Sequence, residues 1–178
     1  MPNVIISVGA ALLIPYMNVF FRERHHVPDG TLGVIFAISS VVTGVATIAA
    51  PLLAGRLGKV RSVVLVQGAS LPFLLAIGFA PSLGLAAAAF WMRGALMNMG
   101  GPIYNAFTME QVAQGERATV NALVGVTWNV GWAVCPYLSG VLQEQWGFGP
   151  LFVATAVLYG VGSVMTYWFF AGSERMGN

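Results

Sequence analysis

Charge is distributed along this chain in a way that leaves few folds open to it. Lysine, arginine, aspartate and glutamate are absent from residues 1–21, 30–55, 62–92, 94–109, 118–143 and 145–173. A helix needs roughly 20 apolar residues to cross about 30 Å of hydrocarbon. Four of the runs hold one such helix each, near 3–21, 32–54, 118–142 and 148–171. A single helix over 62–92 would be about 46 Å long at 1.5 Å per residue. Residues 62–109 are therefore read as two helices, 62–80 and 83–107, broken at Ala80-Pro81-Ser82. The alternative keeps 62–92 as one tilted helix with a re-entrant 94–109, which would carry Arg93 to a surface. Strands do not fit, because the runs exceed the 9–11 residues of a barrel strand and do not alternate polar and apolar. The expected fold is all-α: one polytopic bundle over residues 1–178, with six transmembrane helices.

Composition supports this reading. Only 8% of residues are charged and 57% are hydrophobic, against about 25% charged in soluble domains. The charged residues are too few to coat a water-exposed surface. A soluble domain, a disordered chain and a disulfide scaffold are all excluded, the last because Cys135 is the single cysteine. A net charge of +2 gives no footprint for nucleic acid. Six passes put both termini on one side, with the loops that hold Arg56, Lys59, Arg61, Arg117 and Arg175. The other side has Arg22 and Arg24. Basic loops stay in the cytoplasm, so both termini are expected there, in a plasma or inner membrane. The first helix lacks the basic flank and cleavage site of a signal peptide.

Arg93 is the exception among the charges. It falls ten residues inside the fourth helix, about 15 Å from the start at the helical rise. A charge at that depth is costly, and such residues mark functional sites by default. No acidic residue lies in any expected span, so its partner is expected to be a carbonyl, water, an anionic solute group or another polypeptide.

Pro51-Leu-Leu-Ala-Gly55 ends the second helix and Pro136-Tyr-Leu-Ser-Gly140 ends the fifth. The same feature three helices later, at the other membrane face, is the pattern of a 3+3 inverted repeat. Chance recurrence of proline and glycine in membrane helices gives the same observation. The loop Gly55-Arg56-Leu57-Gly58-Lys59-Val60-Arg61, the stretch Arg93-Gly94 through Gly100-Gly101-Pro102, and the segment Glu116-Arg117 through Asn121, Trp128-Asn129, Gly131 and Pro136-x-x-x-Gly140 carry a further likeness. With these stretches the chain resembles the C-terminal six-helix half of a major facilitator superfamily transporter, over nearly all of its length. The loop from Gly55 to Arg61 resembles the family's cytoplasmic signature G-x-x-x-D-R-x-G-R-[RK]. It departs from it at Gly55, which replaces the acidic residue, and at Pro51, which replaces the first glycine. A carboxylate-centred latch cannot be built from Gly55. Arg56, Gly58, Lys59 and Arg61 can still form a cationic, helix-capping cytoplasmic loop, whether as a structural element or as part of a switch.

Candidate solute-contacting residues follow from spacing. Gly94, Asn98, Gly101 and Asn105 share one helical face, with Arg93, Met97, Gly100 and Tyr104 beside it. An amide in hydrocarbon needs a partner, so Asn98 and Asn105 must face protein or a water-filled space. The other reading of these asparagines and glycines is helix–helix glue. Asn121, Gly125, Trp128 and Trp132 share a face of the fifth helix. Trp128, too deep for an interfacial belt, is either a packing residue or an aromatic cavity wall. Pro15 should loosen the first helix by removing a backbone hydrogen bond. The resemblance implies that the first and fourth helices line a central cavity, placing Tyr16, Asn18, Arg93, Met97 and Asn98 on it. The sixth helix reads as a lipid-facing support.

Other six-helix classes fail on their chemistry. His25 and His26 lie in a polar loop, so a membrane-embedded serine protease is excluded. Paired Asn-Pro-Ala half-helices, a phosphate-binding loop and metal-ligand spacing are all missing. Neither enzyme activity nor a cofactor or metal is expected. The expected function is secondary transport of a small-molecule solute across the lipid bilayer by alternating access. A non-transporting membrane subunit is the alternative. The polar face carrying Arg93, Asn98 and Asn18 calls for a second six-helix half. That half is either the missing N-terminal part of a longer protein, which the start Met1-Pro2-Asn3 suits, or another copy.

Overall fold

A computed structural model describes residues 2–110 and 112–170. Arg175, counted above for orientation, lies outside them. The described residues form helices joined by very short connections: α1 (Pro2–Leu13), a 3-10 turn (Ile14–Tyr16), α2 (Met17–His25), α3 (Asp29–Leu57), α4 (Lys59–Phe79), α5 (Leu83–Glu110), α6 (Arg117–Trp146) and α7 (Gly149–Phe170). No strand occurs among them. Residues 4–25, 29–57, 59–79, 117–146 and 149–168 are long and apolar enough to cross a membrane. The remaining long helix, α5, is the one that carries Arg93 and Asn98 in its middle.

Local chemistry sets the breaks. Pro15 cannot donate to the helix, and the chain tightens into the 3-10 turn there before resuming as α2. The helices α1 and α2 thus form one kinked pass. Gly58 (φ 85°) and Gly147 (φ 71°) end α3 and α6 in a backbone region that side chains avoid. Each donates its N–H back four residues, to Ala54 at 3.0 Å and to Gln143 at 2.9 Å. Ala80-Pro81-Ser82 separates α4 from α5, so no single helix covers 62–92. The helices run several residues past the charge-free stretches, and α3 takes Arg56 into its last turn, where a cation meets the free carbonyls.

Packing follows a symmetric plan. The first pass packs on α6 and α7, α5 packs on α3 and α4, and α4 packs on α7. Exchanging the two three-helix halves maps α1 on α5, α3 on α6 and α4 on α7, and leaves these pairings unchanged. The first helix of each half therefore leans on the second and third helices of the other.

The sixth pass is no mere lipid-facing support, contrary to expectation. One side of α7 buries Phe152, Thr155, Tyr159, Ser163 and Thr166 against α1 and α4, while Val153, Val157, Val161 and Val164 stay exposed. Its valines and phenylalanines hid a seam of polar and aromatic residues at three- and four-residue spacing. Close approach is secured by glycine: a methyl group on Gly9 would sit 3.0 Å from the Tyr159 ring, and one on Gly78 2.6 Å from Phe152.

The core is lopsided. At the end away from the termini, Phe20 meets Phe21, Phe148 and Phe152 edge-on at centroid distances of 5.7, 5.3 and 5.0 Å. Phe21 and Phe36 meet Phe90 in the same way at 5.6 and 5.3 Å. Edge-on pairs contribute about 0.5–1.5 kcal/mol each beyond burial, so this aromatic cluster closes that end of the bundle. At the other end the buried apolar cluster is small, built on Ala50, Val63 and Ile103.

Candidate substrate cavity

Where the apolar packing thins, a cavity of about 430 Å³ opens between four helices. Gln67 comes from α4, Met97, Gly100, Gly101, Tyr104 and Asn105 from α5, and Asn121, Val124, Gly125, Trp128 and Asn129 from α6, with Ile6 of α1 as a wall. Each lies in the part of its helix nearest the termini. Gln67 is eight residues into α4, about 12 Å at the helical rise. The cavity thus lies in the half of the bundle nearest the termini, with the aromatic cluster filling the opposite end.

Eight of the residues singled out by spacing come together here: Met97, Asn105, Asn121 and Trp128, with Gly100, Gly101, Tyr104 and Gly125 beside them. Trp128 is 37% exposed and lies beside Trp132, ring centroids 6.4 Å apart. It forms an aromatic wall. Gln67 is a cavity residue that sequence reasoning passed over, since one glutamine in an apolar helix carries no periodic signal. Ser163 of α7 donates to its Oε1 at 3.3 Å, and Ser70 donates to its backbone carbonyl at 2.6 Å.

The other candidates lie elsewhere. Asn98 is exposed on the face that includes Gly94, and its amide donates to the Gly94 carbonyl at 2.8 Å. Tyr16 crosses to α6, its hydroxyl donating to the Pro136 carbonyl at 2.7 Å. There it fills the space left by Gly140, where a methyl group would sit 2.9 Å from the hydroxyl. Ser139 donates to the Leu12 carbonyl and Ser7 to the Trp128 carbonyl, the latter at 3.3 Å. The seam between α1 and α6 is thus held by side-chain hydroxyls on backbone carbonyls. Gly140 has no side chain, which lets Tyr16 approach. The matching Gly55 of α3 has open space around it. Asn18 lines a second depression of about 500 Å³ at the opposite end, beside Ile14, Pro15 and the exposed ion pair of Arg22 with Asp29 at 2.5 Å.

Arg93 departs from expectation most clearly. It is 4% exposed and has a partner inside the chain. Its Nη2 donates to the Tyr159 hydroxyl at 3.1 Å, and its guanidinium lies 5.4 Å from the Tyr159 ring centroid. Its Nε has no hydrogen-bond partner among the described residues. A tyrosine in the sixth pass supplies what a search for acidic partners could not find. Arg93 shares the stripe of Met97, Gly100 and Tyr104 but does not line the cavity, sitting one helical turn beyond Met97.

The loop between α3 and α4 is nearly absent as a loop. Gly58 alone separates the helices, Arg56 and Arg61 are exposed, and Lys59 opens α4. Ser62 ties the corner by donating to the carbonyls of Gly58 at 2.6 Å and Leu53 at 3.1 Å.

Comparison with curated proteins returns no match. The family model of the Major Facilitator Superfamily matches residues 3–176. Five helices apolar enough to cross a membrane among the described residues, a packing plan symmetric between halves and a match over nearly the whole chain give one conclusion: this chain belongs to the Major Facilitator Superfamily of membrane transport proteins.

Proposed function

We propose that this chain forms one six-helix half of a secondary transporter, which moves a small solute by alternating access through the cavity between α4, α5 and α6. The observation that carries this reading is the cavity itself: carboxamides and an aromatic wall from separate helices converge in the half of the bundle away from the aromatic cluster. Alternating access rocks one half against another around a site near the midplane. A half of this kind must offer an exposed polar face, and Asn98, Gly101, Asn105, Asn121 and Asn129 are exposed. Lipid cannot satisfy those amides. A second six-helix half, from the same polypeptide or another copy, would cover them. Basic loops favour a plasma or inner membrane with both termini in the cytoplasm, so the cavity as seen here would open inward. Arg93 acts in this reading as an internal tie between α5 and α7, close enough to bias the electrostatics of the path. Asn18 and the Arg22–Asp29 pair stand at the outer mouth, Asn98 on the face toward the second half, and Tyr16 as a strut between the first and fifth passes. The loop from Gly55 to Arg61 is a cationic corner at the inner surface.

Flux into proteoliposomes tests the proposal. Trp128→Ala and Asn105→Ala are expected to abolish transport while insertion and expression remain unchanged. Full transport in both variants would remove the cavity from the path.

A further inference from the structure

We infer that the cavity is built for an uncharged, hydroxyl-bearing solute, with Gln67 as an oriented hydrogen-bond donor to it. The inference rests on the transport reading and narrows its substrate. No charged residue lines the cavity among the described residues; its polar side chains there are Gln67, Asn105, Asn121, Asn129 and Tyr104. A carboxamide both donates and accepts, as a hydroxyl does. Such groups satisfy a neutral polar solute without residue, but they do not neutralise an ion, and an unpaired ion in a low-dielectric site is costly. Arg93 sharpens the selection. Its charge, one turn beyond Met97, opposes a cation, while its own hydrogen bond and ring contact with Tyr159 and its 4% exposure leave it out of reach of an anion. Trp128 and Met97 offer a flat and a soft apolar surface for the C–H faces of the same solute.

Among the amides, Gln67 is the one held in place. It is 8% exposed, and Ser163 engages its Oε1 at 3.3 Å. With the oxygen engaged, the amide N–H groups are what it has left to offer the cavity. Their positions are fixed by the contact of α4 with α7 rather than by the solute. Ser163 is therefore a positioning residue and Gln67 a specificity-determining one.

Uptake by the protein in proteoliposomes tests this, with D-glucose, mannitol and uridine as neutral probes, lactate as an anion and choline as a cation. At least one neutral probe is expected to move, and lactate and choline to remain outside. For the neutral probe, Gln67→Ala should raise KM about tenfold, the loss of roughly one hydrogen bond, with little change in maximal rate. Gln67→Glu keeps the size and removes the donors, so it should show the same rise even if the alanine variant folds poorly. Ser163→Ala should raise KM in the same direction and Ser163→Thr restore it, which a purely structural role would not do. Lactate or choline carried in preference to every neutral probe would overturn the inference and leave transport standing. An unchanged KM in both Gln67 variants would overturn it too. Absence of flux for all five probes would bring down the transport reading and the inference with it.

Discussion

The pairing of Arg93 with Tyr159 gives a stability prediction whose size follows from the geometry. The guanidinium is buried and donates to the Tyr159 hydroxyl at 3.1 Å, with the ring 5.4 Å away. A hydrogen bond from a charged donor contributes about 1.5–3 kcal/mol. Tyr159→Phe removes that bond and keeps the ring, so it should destabilise the protein by about 2 kcal/mol, roughly thirtyfold in the folding equilibrium. Arg93→Met removes the charge along with its need for a partner, and replacing a buried charged group by an apolar one of similar length is often close to neutral. In that background Tyr159→Phe has no charge left to strand and should cost almost nothing. The expected coupling energy is therefore about 2 kcal/mol. The assay is reversible unfolding of the four proteins by SDS titration in mixed micelles. A coupling below about 0.5 kcal/mol, the usual limit for independent sites, would refute the pairing and return Arg93 to a solute or a second half.

Further substitutions probe the packing and the cavity. Gly78→Ala places a methyl group 2.6 Å from the Phe152 ring, which is held within the aromatic cluster. It should cost about 2 kcal/mol or more by overpacking, read by the same titration. Gly125→Ala meets nothing within 4 Å and lines the cavity, so it should leave stability intact and alter KM. Gly140→Val should displace the Tyr16 hydroxyl from the Pro136 carbonyl and lower stability by about 1–3 kcal/mol; Tyr16→Phe should lose only the hydrogen bond, about 1 kcal/mol. Asp29→Asn breaks an ion pair whose side chains are 60% and 82% exposed. Its effect on stability should stay within about 0.5 kcal/mol, and a larger loss would assign that pair a structural role.

Much of the helical layout can be read from charge alone, because charges resist hydrocarbon and so mark where each pass ends. Pro15 and Ala80-Pro81-Ser82 announced their breaks for the same kind of reason, a missing donor and a fixed φ. Spacing put Met97, Asn105, Asn121 and Trp128 on the faces that meet in the cavity. It could not say which helix opposes which. That is why Tyr159 was missed as the partner of Arg93, and Ser163 as the residue that orients Gln67. Tyr16 shows the limit in the other direction. The resemblance placed it on the cavity, and in the structure its hydroxyl is a strut on a backbone carbonyl that only the pairing with α6 could supply. The aromatic cluster was equally hidden, since Phe20, Phe90 and Phe152 are far apart in sequence and unremarkable in membrane helices.

In the proposed function the cavity lies on the solute path and opens toward the termini. Cys135 is the single cysteine and is buried, so a Cys135→Ala background carrying Asn121→Cys makes a clean reporter. Labelling by a membrane-impermeant maleimide, in vesicles of each orientation, measures access from each side. Rapid labelling from the side of the termini is expected, slowed by a transported solute. Labelling from the opposite side alone, or a rate that no transported solute changes, would contradict it.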